Sequence, residues 1–190
     1  MMHTLALPEN KKYQGRLREE VMTLPYPFSF KDVCNLPFME CCSREMLRIR
    51  SPGPGNIQQR YTPTSTTLTI ADKVYHLPEN TQIGTQAFSL HRSVDIYGDD
   101  ANEFRPDRWE TTDEQRLRVM KDAWIPFGYG SRICLGMNLA IVELKVITAT
   151  LVRLYDVRLP DGANREDMNP ILGAVIRPKS GKCDLVFERR

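Results

Sequence analysis

Between residues 135 and 155 the sequence sets Leu135, Leu139, Val142, Val146 and Ala149 on one helical stripe. Ala140, Leu144, Ile147 and Leu151 fall on the stripe beside it. A helix apolar over so much of its circumference needs neighbours on most sides, so the spacing predicts a buried helix around which the other elements must be layered. The ten residues ahead of it, Phe127-Gly128-Tyr129-Gly130-Ser131-Arg132-Ile133-Cys134-Leu135-Gly136, hold three glycines and put Cys134 where that helix begins. Unpaired backbone N–H groups and the positive end of a helix dipole favour an anionic sulfur there, a form ready to bind metal. Gly128, Gly130 and Gly136 leave the sulfur clear of side chains, as a broad flat ligand lying against the backbone would require. Arg132, two residues before the cysteine, offers a cation to a carboxylate on such a ligand.

The chain has 190 residues, 41% hydrophobic and 26% charged, with 26 Lys and Arg against 24 Asp and Glu, enough for one substantial core. A net charge of +2 with scattered basic residues argues against a nucleic-acid partner. The sequence contains no apolar run of membrane-spanning length, and charged residues crowd the first 20 positions, which excludes a signal peptide. Cys34, Cys41, Cys42, Cys134 and Cys183 form an odd set without C-x-x-C spacing, which points to a reducing compartment and against a zinc site.

Along the chain, Pro8 and Glu9 open a helix to residue 22 with Tyr13, Leu17 and Val21 on one face. Ser29 and Asp32 form a capping-box variant before a short segment through Cys34. A further helix should start near Pro37, with Phe38, Cys41, Cys42 and Leu47 inward, and stop at the Pro/Gly run of residues 51 to 55. Residues 61 to 90 turn β-rich, with strands at 68–70 and 74–77 about a turn at Ala71-Asp72-Lys73 and a third near Gln82 to Thr85. Residues 95 to 126 read as a long loop with one turn of helix near Glu114, and the tail as hairpin strands. The fold class is mainly α with small antiparallel sheets.

The Phe127 to Gly136 segment resembles the haem-binding signature of the cytochrome P450 family, the haem-thiolate monooxygenases, at every position that signature restricts. Composition gives this spacing an expectation of roughly three in a million in a chain of this length, so chance is a poor competitor. The resemblance implies that Cys134 is the axial iron ligand, that Phe127 packs beneath the macrocycle, and that Arg132 pairs with a haem propionate. Arg60 matches a further propionate-binding arginine of the family. Glu45 and Arg48 resemble the family's Glu-x-x-Arg pair, a spacing that composition alone produces about once. Phe104-Arg105-Pro106-Asp107-Arg108-Trp109 resembles its Phe-x-Pro-x-Arg motif, so Arg108 should join Glu45 and Arg48 in a structural network. His91, in the family-like stretch before that motif, carries no chemistry in this reading. Asn80 stands where the family often has Gly, and Asn tolerates the left-handed turn.

The resemblance runs from about Leu5 to the end and covers less than half of the family's catalytic domain, so residues 1–190 read as its C-terminal, haem-proximal part, a truncated cytochrome P450 fold. It implies haem b as cofactor, electrons from NADPH through a reductase docking near Arg116, Arg118 and Lys121, and insertion of one oxygen atom of dioxygen into a small organic substrate. The wording around the cysteine looks most like fungal microsomal-type enzymes of secondary metabolism, in the cytoplasm or peripherally on the endoplasmic reticulum. The alternative is a non-catalytic remnant acting as a haem-binding or interaction module. Without a distal half, the Cys134 helix should leave apolar surface exposed.

Overall fold

The computed structural model describes residues 1–53, 59–171, 173 and 175–190. Eight helices are described: α1 (Met2–Ala6), α2 (Lys11–Met22), α3 (Phe30–Cys34), α4 (Pro37–Ile49), α5 (Ala87–Leu90), α6 (Val94–Tyr97), α7 (Glu114–Asp122) and α8 (Met137–Leu154). The strands are β1 (Gln59–Tyr61), β2 (Thr66–Ile70), β3 (Lys73–Leu77), β4 (Gln82–Gly84), β5 (Tyr155–Arg158), β6 (Pro170–Ile171), β7 (Arg177–Pro178) and β8 (Val186–Arg189). They pair as antiparallel two-stranded ribbons, β1 with β4, β2 with β3, β5 with β8 and β6 with β7.

The core lies where α2, α3 and α4 meet α8. On α2, Tyr13, Leu17 and Val21 are buried as their four-residue spacing requires, and α4 buries Phe38, Met39, Cys41 and Cys42 while Leu47 is half-buried. The Ser29 and Asp32 box caps α3 in both directions. No side chain of its own N-cap closes α4. Instead the Glu20 carboxylate, from α2, accepts the Phe38 and Met39 N–H groups at 2.7 and 2.9 Å, placing an anion at a helix N-terminus. Gln14, fully buried, donates to the Leu5 and Val157 carbonyls and accepts the Val157 N–H, which ties α2 to α1 and β5.

Several boundaries differ from the sequence reading. The β2–β3 turn is the two residues Ala71-Asp72, because Lys73 already pairs with Ile70, and both turn residues have positive φ, the twist a two-residue hairpin favours. Asn80 takes the left-handed conformation at φ 60°. The third predicted strand is β4, and it pairs with β1 around the hairpin. Residues 95 to 126 hold more helix than expected: α6 ends in this stretch, a 3-10 turn spans Pro106–Glu110, and α7 runs nine residues from an Asp113 cap. Its period was hidden because α7 buries one residue, Met120. The helix α4 ends at Ile49, ahead of the proline run. Of that run residues 54 and 55 lie outside the described residues, as do 172 and 174 of the tail.

The two expectations for α8 part here: its apolar period predicted burial on most sides, and the missing distal half predicted exposed apolar surface, of which the second holds. Lys145, Thr148, Ala149 and Val152 are buried, whereas Leu139 and Ile147 are 64% and 57% exposed and Leu135 just ahead of the helix is fully exposed. The other elements of this chain cover one face of the helix, and apolar residues of both predicted stripes meet solvent toward its N-terminal end, Leu135 and Leu139 from the first and Ala140 and Ile147 from the second. Among the described residues no helix is long and apolar enough to cross a membrane, and all five cysteines are free.

Candidate functional site

The loop that carries Cys134 is hung from α4 and the segments beside it. Ile125 donates its backbone N–H to His91 Nε2 at 2.9 Å, and His91 Nδ1 lies 3.1 Å from the Arg48 carbonyl. An acceptor on one side and a donor on the other fix the imidazole as neutral with its proton on Nδ1. Burial, with the Arg48 and Arg92 guanidiniums adding to it, pushes its pKa down to about 4, while the Arg48 carbonyl opposes. Trp124 Nε1 donates to the Arg44 carbonyl at 3.0 Å, and Ser51 Oγ donates to the Pro126 carbonyl at 3.2 Å. Three residues in succession are thus held before the chain reaches Phe127, whose ring meets Trp124 edge-on at 6.3 Å.

From there the backbone turns sharply. Gly128 and Gly130 have φ of 81° and 74°, which glycine adopts without steric cost, and the Cys134 N–H closes the loop on the Phe127 carbonyl at 2.9 Å. A Cβ at Gly130 would meet nothing within 4 Å, so its backbone conformation, rather than close approach, calls for glycine; a Cβ on Gly136 would sit 4.0 Å from the Cys134 sulfur. The helix begins at Met137 with Gly136 as its N-cap, which leaves Cys134 two residues outside the first turn, linked to it by the Met137 N–H bond to the Cys134 carbonyl at 3.3 Å.

Cys134 is exposed and lines a cleft of about 550 Å³. Its walls are mostly apolar, with Phe127, Gly128 and Ala140 near the cysteine and Ile125, Thr85, Ala87 and Val175 beyond, and the cations Arg132 and Arg60 also border it. Arg60, on β1, donates to the Gln59 carbonyl. Gly130 and Gly136, also expected at the site, shape the loop and the helix start without bordering the cleft. A soft sulfur donor, an apolar opening and two guanidiniums form a set suited to an iron tetrapyrrole bearing carboxylates.

Glu45, Arg48 and Arg108 come together in the core, and all three are buried. The Glu45 carboxylate accepts from Arg48 Nε and Nη2, Arg108 Nε and the Arg105 backbone N–H at 2.9 Å, and from Trp109 Nε1 at 3.0 Å. The remaining guanidinium donors reach backbone carbonyls, those of His91, Ala101 and Glu103 for Arg48 and of Tyr97 and Asp100 for Arg108, which also pairs with Asp100 Oδ1 at 3.0 Å. Arg48 lies over the Tyr97 ring. The network fastens the segments before α7 to the helix whose end holds His91. Sequence reasoning set His91 aside; its signal was its position directly after the Ala87 to Leu90 segment and 43 after Arg48, which no local pattern relates. Arg116, Arg118 and Lys121 stand exposed on α7, and Arg118 lies 4.0 Å from Asp122.

Comparison with known proteins bears on the family over nearly the whole chain. The family profile described as Cytochrome P450 matches residues 1–185. A cytochrome P450 monooxygenase of Aspergillus candidus, cfoH, is 33% identical over 98% of this chain and 35% of its own length. A cytochrome P450 monooxygenase of Emericella nidulans, pkfB, is 36% identical over 77% of this chain and 28% of its own. Among solved structures, the retinoic acid bound cyanobacterial CYP120A1 superposes with a TM-score of 0.82 at 23% identity, over 98% of this chain and 40% of that one. The chain therefore spans about a third of these curated relatives, and it belongs to the cytochrome P450 family.

Proposed function

We propose that the chain forms the haem-proximal part of a haem-thiolate monooxygenase that inserts one oxygen atom of dioxygen into a small organic substrate. The observation that carries this reading is an exposed thiol on a twice-glycine-turned loop, facing an apolar cleft with Arg132 and Arg60 at its border. A bound haem supplies dioxygen activation, with thiolate donation to the iron favouring cleavage of the O–O bond. Cys134 holds the metal, Arg132 and Arg60 take the propionates, and Phe127 and Gly128 form the apolar floor. The bonds from His91, Arg44 and Ser51 keep the loop in place. Electrons come from NADPH through a reductase, for which Arg116, Arg118 and Lys121 offer an exposed basic face. Fungal monooxygenases stand among the relatives, and a role in secondary metabolism, in the cytoplasm or peripherally on the endoplasmic reticulum, belongs to the same proposal.

The open stripe on α8 favours a second reading, in which this chain binds haem yet leaves it too wet for productive turnover unless a distal half covers that face. The purified chain mixed with haem, reduced and exposed to carbon monoxide should show the strongly red-shifted absorption of thiolate-ligated iron, and Cys134→Ala should abolish it. An unshifted spectrum rejects both readings. Turnover with a reductase and labelled dioxygen separates them, since product from the isolated chain rejects the second.

A further inference from the structure

A second cavity lies beside α1 and the C-terminal end of α4, with a volume of about 380 Å³, at the small end of small-molecule sites, and it shares no lining residue with the Cys134 cleft. Its walls are Met46, Ile49, Phe88, Met168, Ile176 and Leu185, half-buried except for Ile49, which is buried. Such a surface shelters an alkyl chain, and methionine adapts to its shape. Its polar boundary is one-signed. Arg50 is half-buried and donates Nη1 to the Met168 carbonyl at 3.1 Å, and Arg177 is exposed at the rim. Among the described residues neither arginine makes an ion pair, although Arg165 and Glu9 pair bidentately nearby. Burial lowers the pKa of Arg50, and the pKa of His3, which also lines the cavity, is lowered first by burial and then by Arg50. A carboxylate arriving between these groups would relieve both costs.

We propose that this cavity binds an amphipathic carboxylate, a medium-chain fatty acid, with the chain against the methionines and the headgroup on Arg50. The site is separate from the one that would hold haem. Cys183, exposed at the cavity's edge, provides a reporter, and Cys134, exposed in the other cleft, an internal control. With the full 190-residue chain, iodoacetamide labelling followed by peptide mass spectrometry gives the rate at each cysteine. Dodecanoate below its micellar concentration should slow labelling of Cys183 and leave Cys134 unchanged. Dodecanol and dodecyltrimethylammonium should protect at least about tenfold less well, because they lack the charge-assisted bond. Arg50→Gln should weaken dodecanoate protection by a similar factor. Because that change also disturbs the bond to Met168, Ile176→Trp is the second variant, which fills the cavity with the guanidinium intact and should abolish protection. Equal protection by the alcohol, protection at Cys134 in place of Cys183, no protection at all, or protection surviving Ile176→Trp would each overturn the proposal.

Discussion

Replacing Glu45 with glutamine is expected to cost ~3–5 kcal/mol of folding stability, the range found when one partner of a buried charge group is removed. The reason lies in the donor count. Five hydrogen bonds converge on a carboxylate that carries no N–H of its own, from two guanidiniums, an indole and a backbone amide. A glutamine side chain turns one acceptor oxygen into an NH₂ group, so donors would face donors around Arg48 or Trp109. Two guanidiniums would then share a buried space without a counter-charge beyond Asp100. Domains of this size have roughly 5–15 kcal/mol in total, so the variant should melt far below the parent and populate unfolded chain at room temperature. Urea denaturation followed by tryptophan fluorescence measures the loss directly, Trp109 being itself a member of the network. A Glu45→Gln midpoint within experimental error of the parent would show that the ring of donors contributes nothing net.

The contrast between Glu45 and His91 shows what a sequence can carry. Glu45 and Arg48 are three apart on one helix, and Arg108 sits in a motif of its own, so each piece of the network had a local pattern even though their meeting, across 63 residues, rested on resemblance. Cys134 was legible for the same reason: glycine spacing, an arginine and a cysteine within ten residues define a loop before any tertiary contact is known. His91 has no such neighbours in sequence, and its two bonds run to backbone atoms, which leave no residue type to read. Nor does the sequence reveal that Glu20 of α2 caps α4, since a surface glutamate on a charged helix looks like any other. Burial of α8 was misjudged in a different way. Apolar periodicity reports which faces want cover, and the neighbours present in this chain cover one of them.

His91 leads to the second large expectation, a loss of stability as the solution is acidified through the histidine range. In the unfolded chain its imidazole takes a proton near the ordinary value of about 6.5, whereas in the folded protein it resists protonation until about 4. Between these values the unfolded state binds the extra proton, so stability rises with pH across that window. The contribution is complete above about 6.5, falls steadily below it and levels off under about 4. Some 2.5 units amount to ~3 kcal/mol, an upper figure for a fully buried ring. His3 is also lowered by burial and adds a smaller slope of the same sign, so the discriminating quantity is the difference between the parent and His91→Gln, in which His3 is unchanged. Asp156, at about 2, loses its contribution only below this window, and the slope from the lowered Glu9 and Glu40 is common to both proteins. Urea midpoints at pH 7.5, 6 and 5 should therefore fall for the parent and much less for His91→Gln. Protonation at Nε2 would also set a donor against the Ile125 N–H, so the loop bearing Cys134 should loosen over the same range. Parallel slopes for the two proteins would mean that the ring is not the strut its bonds describe.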